Sequence, residues 1–342
     1  MSLSRTFGVV TSLTVGVLAL TSCSSEAPSE VPSDASGSEP TSITLYTSEP
    51  QEKIDGIVAA FNDEHPDITV EVFRAGTGDL TARIAAEEKS GEIGADLLLA
   101  ADAPTFETYA ERDLLMQYES TENASIMQEL IDPEHFYVGT RLLPTVIAIN
   151  TNEITDAPAS WADLTDSAYS GKIAMPNPDV SGAAAFNAAI WLDEETLGLD
   201  WLEALAANKP LIVDSNGPVS QAVAEGSSPV GVVVDSLVRD LAAAGSPITA
   251  VYPTEGVPFV SQPVGIFANT DQPEASKLFV DFLISKKGQE VAVTQSYLPI
   301  REDVASPEGA PEISSITFLN PDLQKIQASQ ADAVATFNDL FQ

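Results

Sequence analysis

The sequence predicts an α/β protein built as a two-lobe clamshell. Each lobe is expected to hold a mixed, mostly parallel sheet flanked by helices, and two hinge crossings join them. Three observations carry this. Short apolar strands alternate with amphipathic helices from residue 41 onward. The alternation starts afresh in the second half, without sequence repetition. Two long extended segments, GTRLLPTVIAINTN and PFVSQPVGIF, stand where a chain would pass between lobes.

The elements follow in order. SITLYTS reads as a buried strand, and KIDGIVAAFNDEHP as a helix with Ile54, Ile57, Val58 and Phe61 on one face, stopped by Pro66. ITVEVFRA alternates as a strand should. LTARIAAEEKSG is a helix ending at Gly91, ADLLLAAD a buried strand and TFETYAERDLL a further helix. In the second half GKIAMP is a strand and SGAAAFNAAIWLD a helix; KPLIVDSN, VSQAVAEGS and PVGVVVDS continue the pattern. ITAVYP and PVGIFA are strands, and EASKLFVDFLISKKGQEVA reads as one strong helix. Residues 41–143 with 264–300 should form the first lobe, and 144–263 with 301–342 the second.

Composition narrows the function. The chain has 342 residues, 44% of them hydrophobic, enough for substantial cores. Its formal net charge of −36 repels nucleic acid and anionic lipid, so no nucleic-acid partner is expected. The single cysteine excludes an intramolecular disulfide. The two histidines, His65 and His135, lie in acidic, proline-flanked stretches that read as surface loops. No catalytic constellation emerges, and no enzyme activity, resident metal or cofactor is expected.

Residues 1–22 read as an export signal, with Arg5 ahead of an apolar run and small residues before Cys23. LTSC resembles the lipobox of bacterial lipoproteins, which implies acylation of Cys23; an ordinary cleaved signal is the alternative. Residues 23–40, rich in Ser, Pro and acid, should be a disordered tether. The protein is thus expected outside the cell, held to the membrane by lipid alone, as a monomer.

The body resembles the ferric-iron-binding branch of bacterial substrate-binding proteins for ABC importers. The resemblance covers nearly all of 41–310. Its carriers are ITLYTS, GEIGADLLLAADAPTFETYAERDLL, YSGKIAMPNPDVSGAAAFN, DSNGPVSQAVAEGSSPVGVVV and EASKLFVDFLISKKGQEVAVTQSYLPIREDV. It implies a type II periplasmic-binding-protein-like clamshell, a permease and an ATPase as partners, and no chemistry.

The resemblance transfers only in part. Iron-binding members carry a tyrosine pair at the end of the strand that here ends in Asp235-Ser236. The first-strand loop, Thr47-Ser48-Glu49-Pro50, lacks their histidine, and their acidic position falls at Ala101, beside Asp102. Iron(III) held by Asp235, Asp102 and Glu49 is therefore the alternative cargo.

The anion-holding half does transfer. Relatives hold phosphate or carbonate at a Ser-Gly-Ala helix start, matched by Ser181, Gly182 and Ala183, with an asparagine matched by Asn216. Elementary physics agrees, since the first amides of a helix lack internal acceptors and carry partial positive charge. A plain helix cap is the competing reading of Ser181.

Other candidates are Ser48 and Thr47 as donors from the opposite lobe, or as caps. Thr77 is a weaker one. Asp235 and Glu255 would face the cleft and accept from sugar hydroxyls or an ammonium, or else serve as a cap and a turn acid. Arg141 would clamp an anion. Trp161, Trp191 and Trp201 read as packing residues. The expected cargo is a small anionic solute: a phosphorylated sugar, a glycerol ester or a phosphonate. A secreted phosphoesterase and a sensory binding subunit are the readings from other classes.

Overall fold

The computed structural model describes residues 41–319 and 321–342. The expected signal of 1–22, Cys23 and the tether of 23–40 lie outside those residues.

The first half runs β1 (Thr41–Thr47), α1 (Gln51–Glu64), β2 (Ile68–Arg74), α2 (Thr77–Ser90), β3 (Leu97–Leu99), α3 (Ala103–Ala110), β4 (Leu115–Met116) and β5 (Tyr137–Gly139). Next come β6 (Leu143–Asn150), β7 (Ile173–Pro176), α4 (Gly182–Asp193), α5 (Gly198–Ala207), β8 (Leu211–Val213), α6 (Asn216–Glu225), β9 (Val230–Val234), α7 (Asp235–Ala243) and β10 (Ile248–Val251). The chain closes with β11 (Phe259–Val260), β12 (Pro263–Phe267), α8 (Pro273–Ile284), α9 (Lys286–Thr294) and α10 (Leu323–Phe341).

Two mixed sheets result. The first has the order β2-β1-β3-β12-β4, with β5 also on β12. In it β1 runs parallel to β2 and β3, while β12 is antiparallel to its neighbours. The second has the order β10-β6-β9-β7-β8, with β11 on β6. There β7 is parallel to β8 and β9, and β6 antiparallel to β9 and β10. All eight residues of β6 and all five of β9 are buried, as strands covered on both faces must be.

Each sheet has its own core. Ile54, Ile57 and Phe61 of α1 pack with Phe279 and Phe282 of α8 on the first sheet. In the second lobe Trp161 meets Trp191 and Trp201 edge-on, Trp191 and Trp201 pack at a tilt, the ring centroids lie 5.4–6.5 Å apart and all three are buried, so they are packing residues.

The two expected crossings run side by side. Thr140 N and Arg141 N both donate to Ser261 O, at 2.9 and 3.2 Å. A third passage joins the lobes after α9. Arg301 still bonds Glu122 and the Ile284 carbonyl of the first lobe, and Phe318 then pairs with Val257 of the second. From there α10 lies across both lobes. Ile326, Ala333 and Phe337 enter the second-lobe core, while Gln330 Nε2 donates to Asp102 Oδ2 in the first, at 3.2 Å.

The segment EASKLFVDFLISKKGQEVA is not one helix. It breaks between α8 and α9 at Ser285, whose ψ is 164°. The Ser285 hydroxyl accepts from Gly288 N at 3.1 Å, capping a new helix. A Cβ on Gly288 would lie 1.9 Å from the Phe282 carbonyl, so only glycine permits this fold-back. Helical period alone does not register the cap, because apolar residues recur at helical spacing on both sides of it.

Candidate functional site

Parallel strands place their carboxyl ends, and the helices that follow, along one edge of each sheet. Here the two edges face each other across a cavity of about 700 Å³. Residues at the starts of five helices line it: Pro50 before α1, Thr77 of α2, Gly182 of α4, Asn216 of α6 and Ser236 of α7. The lobes touch beside it, since a Cβ on Gly182 would lie 2.6 Å from Asp102 Oδ1 and 2.8 Å from Thr77 Oγ1.

Ser181 is the N-cap of α4, and its Oγ accepts from Ala184 N at 3.3 Å. It also accepts from Asn216 Nδ2 at 3.1 Å. A hydroxyl has two acceptor sites and one proton. With both acceptor sites taken, the proton remains for donation. Asn216 is held the same way round by its other end, where Oδ1 accepts from Val234 N at 3.2 Å. Gly182 N and Ala183 N lie in the first turn of α4, with no helical carbonyl upstream to accept them. The two readings of Ser181 are therefore compatible, because the cap bond leaves its proton free.

The cavity also holds buried polar atoms without a protein partner. Thr77 Oγ1, Ser236 Oγ and Gln262 Oε1 belong to lining residues exposed by only 4%, 1% and 4%. Unpaired groups at such depth are costly unless something else bonds them.

Glu49, fully buried, sits at the first-lobe wall. It accepts from Tyr297 Oη and Gln262 Nε2, and Arg141 Nη1 lies 3.5 Å from it. Burial first, and then the Glu49 charge, push the Tyr297 phenol well above its ordinary range, so it remains a donor. Arg74 supplies the one cation of the lining among the described residues, its Nε donating to Glu49 O at 3.2 Å.

The structure brings Ser48, Ser181, Gly182, Ala183 and Asn216 to this one cavity. The other candidates are placed elsewhere. Thr47 is buried, and its Oγ1 accepts from Glu49 N in a local turn. Arg141 lies outside the lining, with its Nη1 3.5 Å from Glu49 but without a hydrogen-bond partner, and its guanidinium stacks 4.8 Å from the Tyr297 ring centroid behind the wall. Asp235 turns away from the cavity to accept from Arg239 and Tyr252. Glu255 accepts from Trp161 N and Ala162 N at 3.2 and 3.1 Å, and so caps a short turn. Asp102 bonds Thr105 and Gln330 at the junction of α3 and α10. Of the three carboxylates offered for iron, only Glu49 lines the cavity.

Residue-by-residue reading passed over Arg74, Gln262 and Tyr297. Gln262 had one signal available, its place between two prolines of the second crossing in the run PFVSQPVG. A separate cavity of about 330 Å³, lined partly by Tyr137, Phe186 and Phe259, holds none of the expected residues.

Two mixed α/β lobes facing one cleft of helix starts are a solute-binding architecture, and residues 56–315 match the family described as bacterial extracellular solute-binding protein. The chain belongs to that family. This solute-binding protein is 27% identical over 256 residues to a relative from Salmonella typhimurium named "Putative 2-aminoethylphosphonate-binding periplasmic protein", covering 69% of this chain and 71% of that one. Its fold is shared with iron-bound HitA from Pseudomonas aeruginosa, at TM-score 0.80 and 21% identity over 89% of this chain and all of the other. It is shared equally with the periplasmic binding protein AfuA from Actinobacillus pleuropneumoniae, solved with fructose-6-phosphate. That match has TM-score 0.80 and 23% identity over 88% of this chain and 98% of the other. The fold is therefore the two-lobe, type II periplasmic-binding-protein clamshell.

Proposed function

We propose that this solute-binding protein serves an ABC importer, captures a small anionic solute carrying a phosphate or phosphonate group, and is held outside the cell by acylated Cys23. The observation that carries the ligand class is the Ser181 hydroxyl. Its acceptor sites are filled by Ala184 N and Asn216 Nδ2, and its proton is left beside the Gly182 and Ala183 amides. Those groups donate and cannot accept, which suits an anion's oxygens. The net charge of −36 opposes anion approach at long range, so capture rests on short, desolvated bonds inside the closed cleft. A ligand bonded to both lobes favours the closed form, and a permease with its ATPase would read that form. The protein does no chemistry in this reading.

Thermal-shift measurements on the purified mature protein test this directly. The panel is glucose 6-phosphate, glycerol 3-phosphate, 2-aminoethylphosphonate, inorganic phosphate and ferric citrate. A ligand at about 100 times its Kd adds about 2.7 kcal/mol of stability, a shift that is easily read. A shift by ferric citrate alone would replace the anion with iron as cargo. Ser181→Asp keeps a good N-cap while placing negative charge at the site. It should weaken binding of any anionic hit by about a hundredfold or more. Unchanged binding would remove Ser181 from the site.

A further inference from the structure

We propose that Gln262 is the residue that reads the non-anionic end of the ligand, and that it selects an uncharged hydroxyl there. This rests on the anion-binding reading of the same cleft.

The orientation of its side chain is fixed by chemistry. Gln262 Nε2 is bonded to a carboxylate oxygen of Glu49, and a carboxylate only accepts. The amide nitrogen must therefore point at Glu49, and the amide oxygen away from it. Glu49 cannot turn to release it, because Tyr297 and Arg141 hold its other oxygen. Gln262 Oε1 is left as a buried acceptor with no protein partner, on a residue that lines the cavity and is 4% exposed.

The backbone points the same way. Gln262 has φ of 44°, in the left-handed region that disfavours side chains like glutamine. Its carbonyl accepts from Thr140 Oγ1 at 2.7 Å, which ties it into the paired hinge crossings. Such strain persists where the surroundings over-determine a position, and it concentrates at ligand clamps.

The cleft is thus polarised. The Ser181–Ala183 turn offers donors. Gln262 offers an acceptor at the hinge. A ligand that satisfies both carries an anion at one end and a hydrogen-bond donor at the other. That donor is a hydroxyl and not an ammonium. The acceptor is a neutral amide, and the buried carboxylate behind it is already matched by the Arg141 charge. A desolvated ammonium at Gln262 would find no free charge on that side chain or on Glu49 behind it; the other two carboxylates of the lining, Asp79 and Asp214, stand in the first turn of α2 and just before α6.

Calorimetric titration of the wild-type protein with glycerol 3-phosphate, propyl phosphate, 2-aminoethylphosphonate and ethylphosphonate tests this. The first two share a phosphate ester and differ in two hydroxyls; the last two differ in one ammonium. Glycerol 3-phosphate should bind about ten- to a hundredfold tighter than propyl phosphate, the span set by an unpaired buried acceptor. The ammonium should bring no comparable gain over ethylphosphonate. Gln262→Met should bring glycerol 3-phosphate down to the level of propyl phosphate and leave propyl phosphate itself within about twofold. That unchanged affinity also reports an intact cleft. Gln262→Gly removes the same oxygen while relieving the strained φ, so it tests the idea even where the methionine variant folds poorly.

Equal wild-type affinity for the two phosphates overturns the proposal, as does hydroxyl discrimination that survives in both variants. A large gain from the ammonium overturns the hydroxyl assignment. Failure of wild type to bind any of the four anions instead sinks the anion-binding reading, and the present proposal with it.

Discussion

Asn216 Nδ2 donates to Ser181 Oγ across 3.1 Å and so locks the first turn of α6 to the cap of α4. Its Oδ1 takes Val234 N at the end of β9, which fixes the amide the right way round. One side chain thus sets the relative position of three elements at the cavity and leaves the Ser181 proton to donate. Asn216→Ala should cut affinity for a phosphate-bearing ligand about tenfold, the worth of one well-placed hydrogen bond. Asn216→Asp should be worse, because a carboxylate adds repulsion. Titration calorimetry of both variants checks the ranking; equal affinities would remove charge from the account.

Asp102 makes a pH prediction. It is fully buried, its Oδ1 has no hydrogen-bond partner, and burial raises its pKa above the ordinary value. Its bonds to Gln330 and Thr105 oppose the rise only in part. A carboxyl with a raised folded pKa binds its proton more tightly when folded. Below the unfolded value, about 4, both states are protonated and nothing is lost. As pH rises through the folded pKa, stability falls, because the ionised form is buried. Asp102→Asn should raise the Tm at pH 7 by at least about 2 °C, with the gain vanishing near pH 3.5. A gain equal at both pH values would point to packing and not to charge.

Glu255 separates stability from binding. Its carboxylate caps Trp161 N and Ala162 N, and the cavity does not include it. Glu255→Ala should cost about 1–3 kcal/mol in denaturant unfolding, typical of lost bonds to a charged acceptor. Ligand affinity should stay within about twofold. A selective loss of affinity would return Glu255 to the binding site.

The legible part of this protein is the part set by local rules. Strand and helix periods marked out both lobes, and the helix start at Ser181 could be read from a serine before a glycine-alanine run. Those signals depend on residues within four or five positions of each other. The helix break at Ser285 is hidden because helical spacing of apolar residues continues on both sides of it, so the period carries across the cap. The C-terminal helix joins both lobes through Phe337 on one side and Gln330 on the other, a relationship between residues far apart in the chain.

Which of the candidate acids line the cleft was decided only in three dimensions. Asp235, Glu255, Asp102 and Glu49 all stand at the ends of strands or in turns, where any of them fits a binding site. Asp235 turns away because Arg239, one helical turn on, and Tyr252 claim its carboxylate. Glu49 stays at the wall because Tyr297, 248 residues later, donates to it. The unpartnered acceptor of Gln262 exists for the same reason, since its direction is dictated by Glu49, 213 residues upstream. Sequence by itself determined the two-lobe fold and one wall of the cleft, because helix caps and periods are short-range. Tertiary structure decided which polar atoms are left unpaired in the cleft, because that depends on which partners the distant chain brings to the others.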